Sequence, residues 1–158
     1  IDQNGERVTE ISQPGAVCEL FMSNEGGRKL YQSFWREMAI QVKSRSEIFT
    51  CQTGLSYFCS VILNQNKKQG VFMAGEFFLS ESDKPLEIER LIKIAKSCGI
   101  EEEKMMEAAK KVHRLSLEEQ THISLQPQAA AMAVESILSE RTAFMERLQQ
   151  IANLTQKL

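Results

Sequence analysis

The chain reads as an α/β domain, an antiparallel sheet flanked by helices and followed by a long C-terminal helix. Three observations predict this class. The stretch from Phe49 to Leu79 carries dense apolar runs, broken by a polar segment from Asn64 to Gly70. That pattern is expected of two or three half-buried strands joined by a turn. On either side of it, apolar residues recur at helical spacing, with Leu30, Phe34, Met38 and Val42 on one stripe and Ile88, Leu91, Ile92 and Ala95 on another. Beyond Pro127 the apolar positions step by three and four to the last residue.

The elements follow in order. Asp2-Gln3-Asn4-Gly5 is a turn signal, and Arg7 to Ile11 alternates at period two, so the opening Ile1–Ile11 predicts a short hairpin. Pro14-Gly15 ends it, and a short helix is expected over Ala16–Met22. Asn24 to Gly27 punctuates, and Arg28–Lys43 predicts an amphipathic helix with Tyr31 and Trp35 beside its stripe. In the strand region the apolar residues are Leu55, Tyr57, Phe58, Val61, Ile62 and Leu63, then Val71, Phe72 and Met73, then Phe77, Phe78 and Leu79. Ser82-Asp83-Lys84-Pro85 reads as a helix start, since proline suits the first turn, and Cys98-Gly99 as its end. Glu101 to Val112 predicts a further helix, with three glutamates at the end its dipole favours.

Ser116-Leu117-Glu118-Glu119 has the spacing of a capping box. It opens a helical region that Pro127 should kink or divide. Past Pro127, the positions Val134, Ile137, Arg141, Phe144, Leu148, Ile151, Thr155 and Leu158 form a heptad seam. Arg141 and Thr155 are polar, which suits a seam whose register can shift. The expected organisation is therefore a globular unit over residues 1–126 and a coiled-coil linker over 127–158. The alternative is an ordinary helix packed on its own domain.

Composition narrows the functions. The 158 residues carry a net charge of -2, so no basic surplus exists to hold a nucleic-acid backbone. No apolar run is long enough to span a bilayer, no contact with a membrane is expected, and no signal peptide is visible. The chain opens on Ile1 rather than methionine, and the expectation is a segment of a longer polypeptide. Four cysteines, at 18, 51, 59 and 98, match no zinc-binding spacing. They are expected to be reduced thiols in a cytoplasmic protein. His113 and His122 stand alone, with no nucleophile at catalytic spacing, and no hydrolytic or phosphate-binding motif occurs. No cofactor, metal or catalytic residue is therefore expected. A Cys51-dependent enzyme is the weak rival, and it requires a depressed thiol pKa.

The ordered succession of motifs resembles the PocR sensory domain, a ligand-binding module with a PAS-like fold. The pieces that carry it are Asp2-Gln3-Asn4-Gly5, Cys18-Glu19-Leu20-Phe21, Glu25-Gly26-Gly27-Arg28 and Cys51-Gln52-Thr53-Gly54-Leu55. Gly70 to Glu76, Cys98-Gly99-Ile100 and Leu115 to Glu119 complete the series. The chain departs from the family pattern at four places. Leu30 stands where a second cysteine is common, Gln52 for a histidine, Tyr57 for an aspartate and Glu76 for a glutamine.

The resemblance implies an intracellular sensor of a small organic ligand, a diol or related hydrocarbon derivative, in bacterial transcription regulators and signalling proteins. It implies an output module in the same polypeptide. The heptad seam adds a homodimer through the C-terminal helix. The lost family positions raise the alternative of a dimerisation scaffold that no longer binds ligand.

The candidate ligand-binding residues are Cys51, beside a tight turn, Cys18, Tyr57 and Glu76. A carboxylate and a phenol on an apolar background can orient a small polar ligand. Tyr31 and Trp35, with Phe34, are candidate walls beneath the Arg28–Lys43 helix, and Phe49 and Gly75 complete the set. Each has a plainer alternative. Buried cysteine commonly packs as a small hydrophobe, aromatic stripes commonly form core, and strand alternation can turn Glu76 to solvent.

Overall fold

The computed structural model describes residues 1–80 and 84–155. In chain order the elements are α1 (Ala16–Met22), α2 (Glu25–Gln41), β1 (Glu47–Thr50), β2 (Ser56–Asn64) and β3 (Lys67–Leu79). They continue as α3 (Lys84–Ser97), α4 (Glu102–Lys110), β4 (His113–Leu115), α5 (Leu117–Ile123) and α6 (Leu125–Thr155). The four strands form one sheet in the order β1-β2-β3-β4. The class is α/β and PAS-like, as expected, with one difference. The sheet is mixed, because β4 joins β3 in parallel while the other pairs are antiparallel.

Local chemistry sets the boundaries. Asn24 caps α2, its side chain accepting from the Gly27 amide at 2.7 Å. Helices α1 and α2 approach so closely that a Cβ at Gly27 would lie 2.0 Å from the Phe21 carbonyl oxygen, so only glycine fits there. The β2–β3 hairpin turns on Gln65 and Asn66, with φ of 49° and 60°. The expected turn over Asn64–Gly70 is thus two residues long. Polar composition at Lys67 to Gln69 reflects an exposed strand end rather than a loop.

One further expectation needs correction. The turn at Asp2–Gly5 forms, with the Gly5 amide donating to the Asp2 carbonyl at 3.1 Å, but Arg7–Ile11 is not a strand. Ile1 and Asp2 instead lie against β3, bonded both ways between Ile1 and Val71. The short β4 had no periodicity to announce it. The Ser82-Asp83 part of the α3 start and the final seam residue Leu158 lie outside the described residues; Pro85 sits in the first turn of α3.

The capping box at Ser116 is complete, its hydroxyl accepting from the Glu119 amide and the Glu119 carboxylate accepting from the Ser116 amide. Helix division falls at Ser124, and Pro127 stands in the first turn of α6, where its missing N–H costs nothing.

The sheet has two covered faces. The inner face meets α1 to α4 around a core that includes Phe21, Phe34, Met38, Leu55, Phe78, Leu91 and Met105. The outer face is crossed by α6. Glu135 accepts from the Leu63 amide at 2.8 Å and pairs with Arg45 at 2.8 Å. Asn64 donates to Thr142 at 3.1 Å. From Ala143 to Thr155 every residue of α6 is exposed. No described helix is long and apolar enough to cross a membrane.

Candidate functional site

A bulge in β3 builds the site. Ser56 pairs with Phe77 but Phe58 pairs with Ala74, so Tyr57 alone faces both Gly75 and Glu76. Gly75 absorbs the extra residue at φ +137°, a conformation that side chains disfavour. The bulge resets the alternation of the strand. Val71 and Met73 point inward before it, and Glu76 and Phe78 point inward after it. Uninterrupted period-two counting would put Glu76 on the opposite face from Met73.

Glu76 is thereby delivered to the start of α1. Its Oε1 accepts from the Cys18 amide at 3.1 Å, and Gly15 lies so close that a Cβ there would meet Oε1 at 2.2 Å. Helix α1 has no side-chain cap of its own. A sheet carboxylate fills that role, satisfying an amide at the positive end of the helix. The Tyr31 hydroxyl donates to the other Glu76 oxygen at 3.4 Å, and the Tyr31 and Tyr57 hydroxyls are 3.4 Å apart.

Aromatic rings enclose this polar trio. Tyr31 stands edge-on to Trp35 at 6.1 Å and tilts against Phe21 at 5.7 Å. Phe34 meets Tyr57 at 5.0 Å and Phe49 at 5.8 Å. Tyr31, Trp35 and Tyr57 are all buried. Cys51 closes the end of the cluster. Its amide donates to the Leu55 carbonyl at 2.8 Å, and its thiol lies 2.7 Å from the hydroxyl of buried Thr53.

Burial governs the electrostatics. It raises the Glu76 carboxyl above its usual range, partly opposed by the Cys18 amide and the Tyr31 hydroxyl. It pushes the Cys18 thiol up to about 11, with Glu76 adding repulsion. It raises the Cys51 thiol, and Tyr31 and Tyr57 well above the ordinary phenol value. The two thiols and the two phenols are held neutral, and a thiolate nucleophile needs the reverse. Among the described residues, no group of three or more His, Cys, Asp or Glu is gathered as a metal site.

The structure thus brings Cys18, Tyr31, Trp35, Phe49, Cys51, Tyr57 and Glu76 to the inner face, while Gly75 contributes backbone at the exposed bulge. Sequence reading overlooked two members. Gly15 was visible only as a helix-preceding breaker. Thr53 was visible only as part of the turn after Cys51. The cluster is closed. An open cleft of about 500 Å³ lies elsewhere, between the Thr50–Ser56 end of the sheet and the exposed side of α3.

Comparison with known families matches residues 1–136 to the family described as the sensory domain found in PocR. No curated protein and no solved structure matches the chain.

Proposed function

Since the chain belongs to the PocR sensory-domain family, we propose that it binds a small hydroxylated organic compound, a short diol or a related hydrocarbon derivative, at the inner cluster. One observation carries this reading. The hydroxyls of Tyr31 and Tyr57 and the Glu76 carboxylate converge in an aromatic enclosure at separations of 3.4 Å. Well-formed O–H···O bonds are roughly 2.7–2.8 Å, so each of these groups retains bonding capacity. A ligand hydroxyl placed among them would receive and donate short bonds, while its carbon chain rests on Trp35, Phe34 and Phe49. Entry requires local opening, and the seven-residue α1, held at its start by Glu76, is the element to move.

The signal would leave through α6. It is fixed to the β2–β3 hairpin through Glu135 and Thr142, and it presents Ile137, Phe144, Leu148 and Ile151, all exposed, along the heptad seam. Pairing of two such helices would cover that stripe and make a homodimer. Ligand would bias the arrangement of the pair, and with it a transcription-regulatory or signalling module in the same bacterial, cytoplasmic polypeptide. The shift can be no larger than the ligand's differential affinity for the two arrangements. No enzymatic step is proposed.

A second reading has its own support. Because the cluster is closed, it fits equally a dimerisation scaffold whose polar trio only braces α1. Trp35 is the only tryptophan and part of the enclosure, so its fluorescence reports on both readings. Titration with short diols, polyols and amines should give a saturable change for one class. A flat response across all of them favours the scaffold.

A further inference from the structure

We infer that the cleft beside α3 is a second binding site, and that it takes a small aliphatic carboxylate. Its apolar lining is Leu79, at the end of β3, and Leu86, which is exposed. At the sheet end the Thr50 and Ser56 hydroxyls are joined at 2.8 Å. Along the α3 wall stand Arg90 and Lys93, one turn apart, and neither has an ion-pair partner among the described residues. Of the acids in the wall, Glu87 is taken up by the Arg114 guanidinium, leaving Glu89 opposed to the two cations.

Two cations facing the single acid Glu89, beside Leu79 and Leu86 and next to the Thr50–Ser56 hydroxyl pair, match a carboxylate head and a short alkyl tail. Charged donors to carboxylate give the stronger class of hydrogen bond. The volume, about 500 Å³, is at the scale of small-molecule sites.

The site is separate from the inner cluster yet adjacent to it. Ser56 lines the cleft and Tyr57 faces the cluster, on opposite sides of the same strand at the same bulge. The α3 wall is also tied to the exit path. Arg114, which pairs with Glu87, also donates to the Leu79 carbonyl at 2.9 Å and lies over the Phe78 ring, in the strand just before α5.

Calorimetric titration of the 158-residue chain with butyrate and hexanoate tests the inference, with 1-butanol and butylamine as controls. Saturable binding of the acids and not of the controls is expected. The double variant Arg90→Ala, Lys93→Ala should weaken it by roughly tenfold or more, with an unchanged unfolding temperature when no acid is present. Tyr57→Phe should leave acid binding intact. Absence of saturable acid binding, equal affinity in the double variant, or loss of acid binding in Tyr57→Phe would each overturn the assignment. None of these outcomes bears on diol binding at the inner cluster, which the tryptophan titration reads separately.

Discussion

The two faces of the sheet are both covered, but by different chemistry. On the inner face, aromatic rings pack around hydroxyls and a carboxylate whose bonds are long. On the outer face, Phe58 stacks on Phe77 at 4.6 Å, and α6 is fastened by short polar contacts to the hairpin. Long bonds leave donors and acceptors available to a newcomer. Short bonds fix a register and transmit a displacement of their anchor. The same strands therefore carry a face with long-bonded hydroxyls and a face that holds α6, and the Gly75 bulge sets which side chains of β3 fall on each. Both faces include buried polar atoms, and on the outer face the Ser60 hydroxyl and Asn64 Oδ1 have no partner, so it is the length of the bonds that are made that distinguishes the two.

The comparison can be broken most severely at Phe34, which touches Tyr31, Tyr57 and Phe49. Phe34→Ala should cost about 3–5 kcal/mol in urea unfolding, as a large-to-small change in a packed core. On the other face, Glu135→Ala strands the Leu63 amide and should cost about 1–3 kcal/mol. Amide exchange should then speed up in the first half of α6. Glu146, bonded to Gln65 at an exposed site, should matter by no more than about 0.5 kcal/mol.

A pH-dependent effect is expected at Glu76. Its folded carboxyl pKa lies above the ordinary value of 4.5, so the folded state binds the proton more tightly than the unfolded chain. The associated stability is fully present below the unfolded pKa and is lost as pH rises through the folded one. Glu76→Gln keeps an acceptor for the Cys18 amide and should flatten that part of the pH–stability profile. At neutral pH it should raise stability, by on the order of 1 kcal/mol or less. Ser60 is fully buried with its hydroxyl unpartnered. Ser60→Ala should be neutral or slightly stabilising in thermal unfolding, within about 1 kcal/mol.

Much of this was legible in the residues. The helices announced themselves through caps and stripes, Asn24 and Ser116 above all, because capping is local chemistry. Tyr31, Trp35 and Tyr57 could be picked out because large amphipathic rings on apolar stripes have few other places to go. The facing of Glu76 was not legible, since period two gives no sign of a bulge until pairing fixes which residue is extra. Its role as the cap of α1 was hidden for a related reason, as the two lie far apart in sequence. The short β4 is held by Arg114 and by pairing with β3, long-range interactions that leave no local pattern in three residues. A side chain at Gly75 would disrupt the bulge itself, because a Cβ there meets the Ser56 carbonyl at 3.0 Å in a strained conformation.

Tyr57→Phe is the cleaner probe, removing one hydroxyl and leaving the ring in place. Thermal unfolding of the wild-type chain and this variant, across a series of short diols, tests ligand binding at the inner cluster most directly. A diol at a hundred times its dissociation constant contributes about 2.7 kcal/mol, or roughly 5–10 °C for a chain of this size. A shift of that order in the wild type, sharply reduced in Tyr57→Phe, is the predicted result. An equal shift in both proteins would contradict it.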